Sequence, residues 1–229
     1  MKAKKVMIPV EDGTSVSGVM VVPGKYDGKH GIIFAHGVGN DMNQSMIVFL
    51  SEEMARAGYL TLRFNFPYKE QGRNAPDRPE VLYHTWEAAY QFLLSHPDYR
   101  AEHIIAAGKS MGGRIASQMV AEGRLAVERL IFLGYPLHPA GKKDKLRDQH
   151  LYQIQVPMLF FAGTRDQLCD LDLLKGILSR LAAPWHLGVI EGGDHSFNVP
   201  KAARVSPEEI NGRILKGILE WLNGPQENH

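Results

Sequence analysis

Ser110, Asp166 and His195 are the three residues of this chain whose types and order could carry nucleophilic chemistry. A serine hydroxyl is a weak nucleophile until a base takes its proton and a third group holds that base in one tautomer. Ser110 stands in Gly108-Lys-Ser-Met-Gly112, directly after the apolar run 103–107 and at the start of a helical segment. In a chain with this Gly and Ser content, a bare G-x-S-x-G arises by chance with a probability of roughly 0.1. The weight therefore comes from its place between a strand and a helix. That context predicts a sharp turn lifting the hydroxyl clear of the sheet, with glycines at 108, 112 and 113 avoiding Cβ clashes.

The base and the acid follow downstream. The apolar run 158–161 leads into Ala162-Gly-Thr-Arg-Asp166, and the run 185–190 leads into Glu191-Gly-Gly-Asp-His195. Both residues stand just past the carboxyl end of a predicted strand, where open α/β sheets bind ligands. Of the 10 histidines, only His186, His195 and His229 follow Asp166. His186 falls inside a predicted strand and His229 ends the tail, which leaves His195 as the base. Asp170 and Asp172 compete for the acid's role, as do Asp144 and Asp148 from the preceding connection. Asp166 is preferred because it follows Gly163 on the strand-end loop, whereas Asp170 and Asp172 suit the first turn of the next helix.

The strand-first elbow and the order serine, acid, histidine resemble the α/β-hydrolase fold. That resemblance implies that His36-Gly37-Val38-Gly39 is the oxyanion loop, with the Val38 N–H as one donor, or a neighbour such as Gly37, and the Met111 N–H as the second. At closer range, Gly134-Tyr-Pro-Leu-His138-Pro, Asp144-Lys-Leu-Arg-Asp148, Gly163-Thr-Arg-Asp166 and Gly192-Gly-Asp-His-Ser-Phe197 resemble the dienelactone-hydrolase-like branch. The branch includes a testis-expressed protein and a subunit of the non-specific-lethal chromatin complex, and the likeness runs from about residue 31 to 222. True dienelactone hydrolases carry a cysteine where this chain has Ser110, so their particular substrate is not implied.

The resemblance implies an esterase or thioesterase working through an acyl-enzyme on a small acyl substrate. A small serine peptidase is the alternative enzyme, and an interaction or scaffold subunit the alternative class. Gly37, Tyr135 and His138 are candidate substrate contacts. Lys142, Lys143, Lys145 and Arg147 form a basic cluster that either steers an anionic acyl group or is a solvated face. A dinucleotide loop at Gly37-x-Gly39 fails because Met42 stands where the third glycine belongs. No H-E-x-x-H and no cysteine pair suggests a metal, so neither metal nor cofactor is expected.

Positioning these residues takes an alternating framework. Runs 6–10 and 16–22 read as a hairpin across Asp12-Gly13, followed by strands at 31–35, 59–64, 103–107, 130–133, 158–161 and 185–190. Helices are expected at 43–57, 79–95, 111–122, 168–181 and 207–222. This alternation predicts a mostly parallel sheet with helices on both faces. The hydrolase resemblance sets it at about eight strands, with the hairpin supplying the one antiparallel member. Only about residues 136–154 separate strands six and seven, too few for a cap domain.

Composition agrees with one α/β domain over residues 1–229. The chain is 44% apolar and 22% charged, as globular chains are, and 26 Lys plus Arg stand against 25 Asp plus Glu. That balance gives no bulk attraction to nucleic acid. Charges interrupt every apolar run before the ~18 residues of a membrane span, and the one cysteine suits a reducing compartment. A cytoplasmic protein that binds neither membrane nor nucleic acid is expected.

Overall fold

A computed structural model of the chain describes residues 1–224, and of Asp12 the backbone only; His229 lies outside the described residues. Eight strands form one sheet: β1 (Lys2–Pro9), β2 (Ser15–Val22), β3 (His30–Ala35), β4 (Leu60–Phe64), β5 (His103–Lys109), β6 (Arg129–Leu133), β7 (Met158–Gly163) and β8 (Trp185–Ile190). Their order is β1-β2-β4-β3-β5-β6-β7-β8. Strand β2 runs antiparallel to both β1 and β4, and every other pairing from β4 to β8 is parallel. The hairpin thus supplies the single reversed strand, and the fold is that of an α/β hydrolase.

Six helices cover the sheet: α1 (Ser45–Arg56), α2 (Pro67–Glu70), α3 (Pro79–Ser95), α4 (Met111–Ala121), α5 (Leu171–Leu178) and α6 (Pro207–Asn223). The central strands are apolar at successive positions because both faces are buried. Ile32 and Phe34 of β3 meet Leu50 of α1 and Ile214 of α6 on one face, while Ile33 and Ala35 meet α3 and α4 on the other. Sequence sets the helix starts: Ser206 accepts from the Glu209 N–H while the Glu209 carboxylate accepts from the Ser206 N–H, a reciprocal cap for α6.

Boundaries differ from expectation where local chemistry overrides periodicity. The fifth helix is shorter than 168–181 because Asp170 caps it, accepting from the Asp172 and Leu173 N–H groups. Strand β1 begins at Lys2, its residues mostly exposed at the sheet edge. Between β6 and β7 only turns and a 3-10 segment at Gln149–Gln153 intervene, so among the described residues no cap domain is inserted there. Among the described residues no helix is long and apolar enough to cross a membrane.

Candidate active site

The turn at the end of β5 places Ser110 in a strained conformation, φ 50° and ψ −116°. A non-glycine residue holds a positive φ of this kind only when its surroundings force it. The forcing is visible in the glycines: a Cβ on Gly112 would stand 2.6 Å from Ala35 O, and one on Gly113 2.8 Å from Gly108 O. Helix α4 is thereby drawn tight against β3 and β5. Trp86, fully buried, donates from Nε1 to Gly112 O at 3.2 Å and braces the first turn of α4. The Met111 N–H opens that helix, where a backbone donor has no intrahelical acceptor.

Ser110 Oγ lies 2.8 Å from His195 Nε2, and His195 Nδ1 lies 2.8 Å from Asp166 Oδ2. An ionised carboxylate only accepts, so the Nδ1–H faces Asp166 and Nε2 is left free to accept from the serine. The Asp166 side chain is closed to solvent, and its other oxygen accepts from the Leu168 N–H at 2.7 Å. The loops carrying acid and base are joined backbone to backbone. Arg165 N–H donates to Gly193 O at 2.8 Å, and a Cβ on Gly163 would overlap the Gly193 carbonyl. Only glycine at 163 allows that approach. The structure thus brings Ser110, Asp166 and His195 together, and of the other acids Asp170 is occupied as the α5 cap.

The loop after β3 lies over the elbow, where a Cβ on Gly37 would stand 3.3 Å from Ser110 Cβ. His36 is fully buried: the Phe66 N–H donates to Nε2 at 3.1 Å, so the Nδ1–H donates to Gly37 O at 2.9 Å. Burial pushes the His36 imidazole down to about 4, keeping it neutral. The Tyr68 hydroxyl also donates to Gly37 O, at 3.3 Å. In a trans peptide the next N–H points opposite to the carbonyl, so holding Gly37 O inward turns the Val38 N–H outward. The Val38 side chain is half exposed.

Tyr135 and His138 do not line a substrate pocket, contrary to expectation; each is only 1% exposed. Tyr135 packs on Phe132 and Phe160 and donates to Arg147 O at 2.6 Å. His138 accepts at Nε2 from the Asp170 N–H, so its Nδ1–H donates to Pro139 O, clamping the turn before α5. Position past a strand end was legible, but side-chain direction was not. In the basic cluster Lys143 pairs with Asp170 and Arg147 folds back onto Pro136 O, leaving Lys142 and Lys145 exposed. A cleft opens beside His195, walled by Arg165, Gln167, Leu168, Asp194 and Ser196.

Two further groups at the site carry no such signature in the sequence: Tyr68, and Lys109, whose charge at the end of an apolar strand was the available signal. Lys109 Nζ donates to His195 O at 2.5 Å. The lone Cys169 is buried beside Asp166, and burial chiefly pushes its thiol up to about 12, leaving it an unreactive neighbour.

Residues 28–223 match the family described as alpha/beta hydrolase domain. Among curated relatives, a protein provisionally named a phosphoribosyl transferase, from two strains of Mycobacterium tuberculosis, is 27% identical over 212 residues. The alignment covers 92% of this chain and 45% of the relative, so the chain spans just under half the length of these matches. Among solved structures, a dienelactone hydrolase from Anabaena variabilis superposes with a TM-score of 0.74 at 21% identity, over 96% of both chains. A serine hydrolase without lid from Xanthomonas campestris gives 0.73 at 17% identity, over 98% of this chain and 97% of that one. At such identities the likeness is one of fold.

Proposed function

The chain belongs to the alpha/beta hydrolase domain family, and from that premise we propose that it is a serine hydrolase cleaving small acyl esters or thioesters through an acyl-enzyme. The observation that carries the reading is His195 standing 2.8 Å from both Ser110 Oγ and Asp166 Oδ2. As Ser110 Oγ attacks the acyl carbon, its proton passes to His195 Nε2, and Asp166 stabilises the imidazolium. The Val38 and Met111 N–H groups bind the oxyanion that develops. Collapse breaks the bond to the leaving alcohol or thiol, which takes the proton from His195. Water, deprotonated in turn by His195, releases the acid and restores the serine.

Strain at Ser110 favours this reading over a scaffold. A φ of 50° at a non-glycine residue costs of order 1–3 kcal/mol, which a binding surface has no reason to retain. Within the family, the resemblance of the motifs around Gly134, Asp166 and His195 supports a place in the dienelactone-hydrolase-like branch, and we propose the testis-expressed and non-specific-lethal proteins as its relatives there. The open carboxyl edge suits small or extended substrates. The transferase name of the mycobacterial relatives belongs to longer chains and is not carried over. The test is labelling by a fluorophosphonate and turnover of p-nitrophenyl acyl esters, both lost in Ser110→Ala. Equal labelling and turnover by the two proteins refute the reading, and a stable protein partner without labelling supports the scaffold instead.

A further inference from the structure

Building on the reading of Ser110, Asp166 and His195 as the reacting group, we infer that Lys109 is a positioning residue for His195. Its ammonium anchors the histidine's backbone and places a positive charge beside the imidazole. Lys109 is the last residue of β5, next in the chain to the nucleophile, and its side chain turns under the loop that follows β8. It is only 3% exposed, which is rare for lysine, because an ammonium taken out of water needs partners. Those partners belong to the histidine loop: Nζ donates to His195 O at 2.5 Å and stands 5.4 Å from the centre of the Phe197 ring. The loop is itself strained at Phe197, whose φ is 66°, so the lysine secures a segment that local backbone preference would release.

The same space joins the ammonium to the imidazole. A Cβ on Gly134 would stand 2.9 Å from Lys109 Nζ and 3.6 Å from His195 Cε1, so the two groups flank one gap in the turn after β6. The charged groups facing Nζ are Asp166, after β7, and Asp194 and His195, after β8. Gly134 after β6 and Gly37 after β3 bring no ionisable side chain to it. Burial lowers the lysine to about 8, with Asp166 and Asp194 opposing. At neutral pH the lysine is therefore chiefly an ammonium, and it is this cation that holds the His195 carbonyl. A methionine of the same length would fill the space equally well, so packing alone does not account for a lysine.

The experiment compares wild type with Lys109→Met by following the His195 Cε1–H resonance against pH, alongside kcat and KM on p-nitrophenyl acetate. Without the cation, the His195 Cε1–H resonance is expected to lose the inflection near pH 8 that marks the lysine's own titration. A fall in kcat of about tenfold or more at little-changed KM is expected from the released loop. The same inflection near pH 8 in Lys109→Met, or none in wild type, overturns the inference. If Lys109→Met does not fold, wild type decides alone: the His195 resonance should move near pH 8 as the lysine loses its proton, and no movement there overturns the inference. If wild type and Ser110→Ala are equally inert to ester and fluorophosphonate, the hydrolase reading falls while the His195 resonance near pH 8 still judges Lys109.

Discussion

The Asp166 carboxylate, closed to solvent, holds His195 Nδ1 at 2.8 Å and the Leu168 N–H at 2.7 Å, so both its oxygens are committed. Asp166→Asn preserves shape but puts an amide where an acceptor stood. With the amide nitrogen toward the ring, Nδ1 must accept and Nε2 carries the proton, so it cannot take one from Ser110. A kcat loss of about 10³- to 10⁴-fold is expected, by analogy with the serine-protease case. Steady-state kinetics beside a thermal melt check it, and a kcat within threefold of wild type would refute the assignment of the acid.

Because the base must be neutral to act, activity should follow the deprotonated fraction of His195. Below the pKa of that ring, log kcat/KM should fall with a slope of one, about tenfold per pH unit, and level off above it. A pH–rate profile reads this directly. A kcat/KM independent of pH over the whole range in which the protein stays folded would remove His195 from the role of base.

Removing the Tyr68 hydroxyl tests how the Val38 peptide is held. In Tyr68→Phe, Gly37 O keeps the His36 donor but loses the one at 3.3 Å, a bond whose net worth is about 1 kcal/mol. A kcat drop of about three- to tenfold is expected with KM nearly unchanged, since the donor acts on the developing oxyanion. A change confined to KM would remove Tyr68 from that role.

Gly112→Ala should damage the elbow through backbone that cannot give way. Its Cβ would meet Ala35 O at 2.6 Å and His36 O at 2.7 Å, so α4 must retreat from β3. Overpacking of this kind costs about 1–3 kcal/mol. A lower midpoint in urea together with slower fluorophosphonate labelling is the expected pair of outcomes. Wild-type values for both would show that the turn tolerates a wider path.

Stability should fall in mild acid because two histidines, the buried His36 and the half-buried His150, are held neutral. Burial chiefly lowers both His36 and His150 to about 4 from an ordinary value near 6.5. Between those limits the unfolded chain binds a proton at each site and the folded chain does not, so unfolding gains with every step down in pH. The stability is present above about 6.5 and is lost progressively toward pH 4, with a limiting slope of about 2.7 kcal/mol per unit for two protons. Urea melts at pH 5.0 and 6.0 measure it, and His150→Gln should roughly halve the slope.

The framework was legible because buried strands such as 31–35 and 158–161 are short apolar runs bounded by glycine or proline, and the order of Ser110, Asp166 and His195 along them could be read directly. Helix α2 escaped because four residues carry no period. Tyr135 and His138 were misassigned for a different reason: standing past a strand end says which edge of the sheet a residue occupies, not whether its ring turns to solvent or to Phe132. Lys109 escaped because its partner, the His195 carbonyl, lies 86 residues away and is backbone, which no side-chain pattern announces.

Ser110 and His195 are 85 residues apart, and β8, whose carboxyl end delivers the histidine, is an edge strand paired only with β7. During synthesis Ser110 therefore leaves the ribosome before His195, and their contact cannot form until β8 has been made. A nascent chain that ends before β8 thus carries Ser110 without its His195 partner.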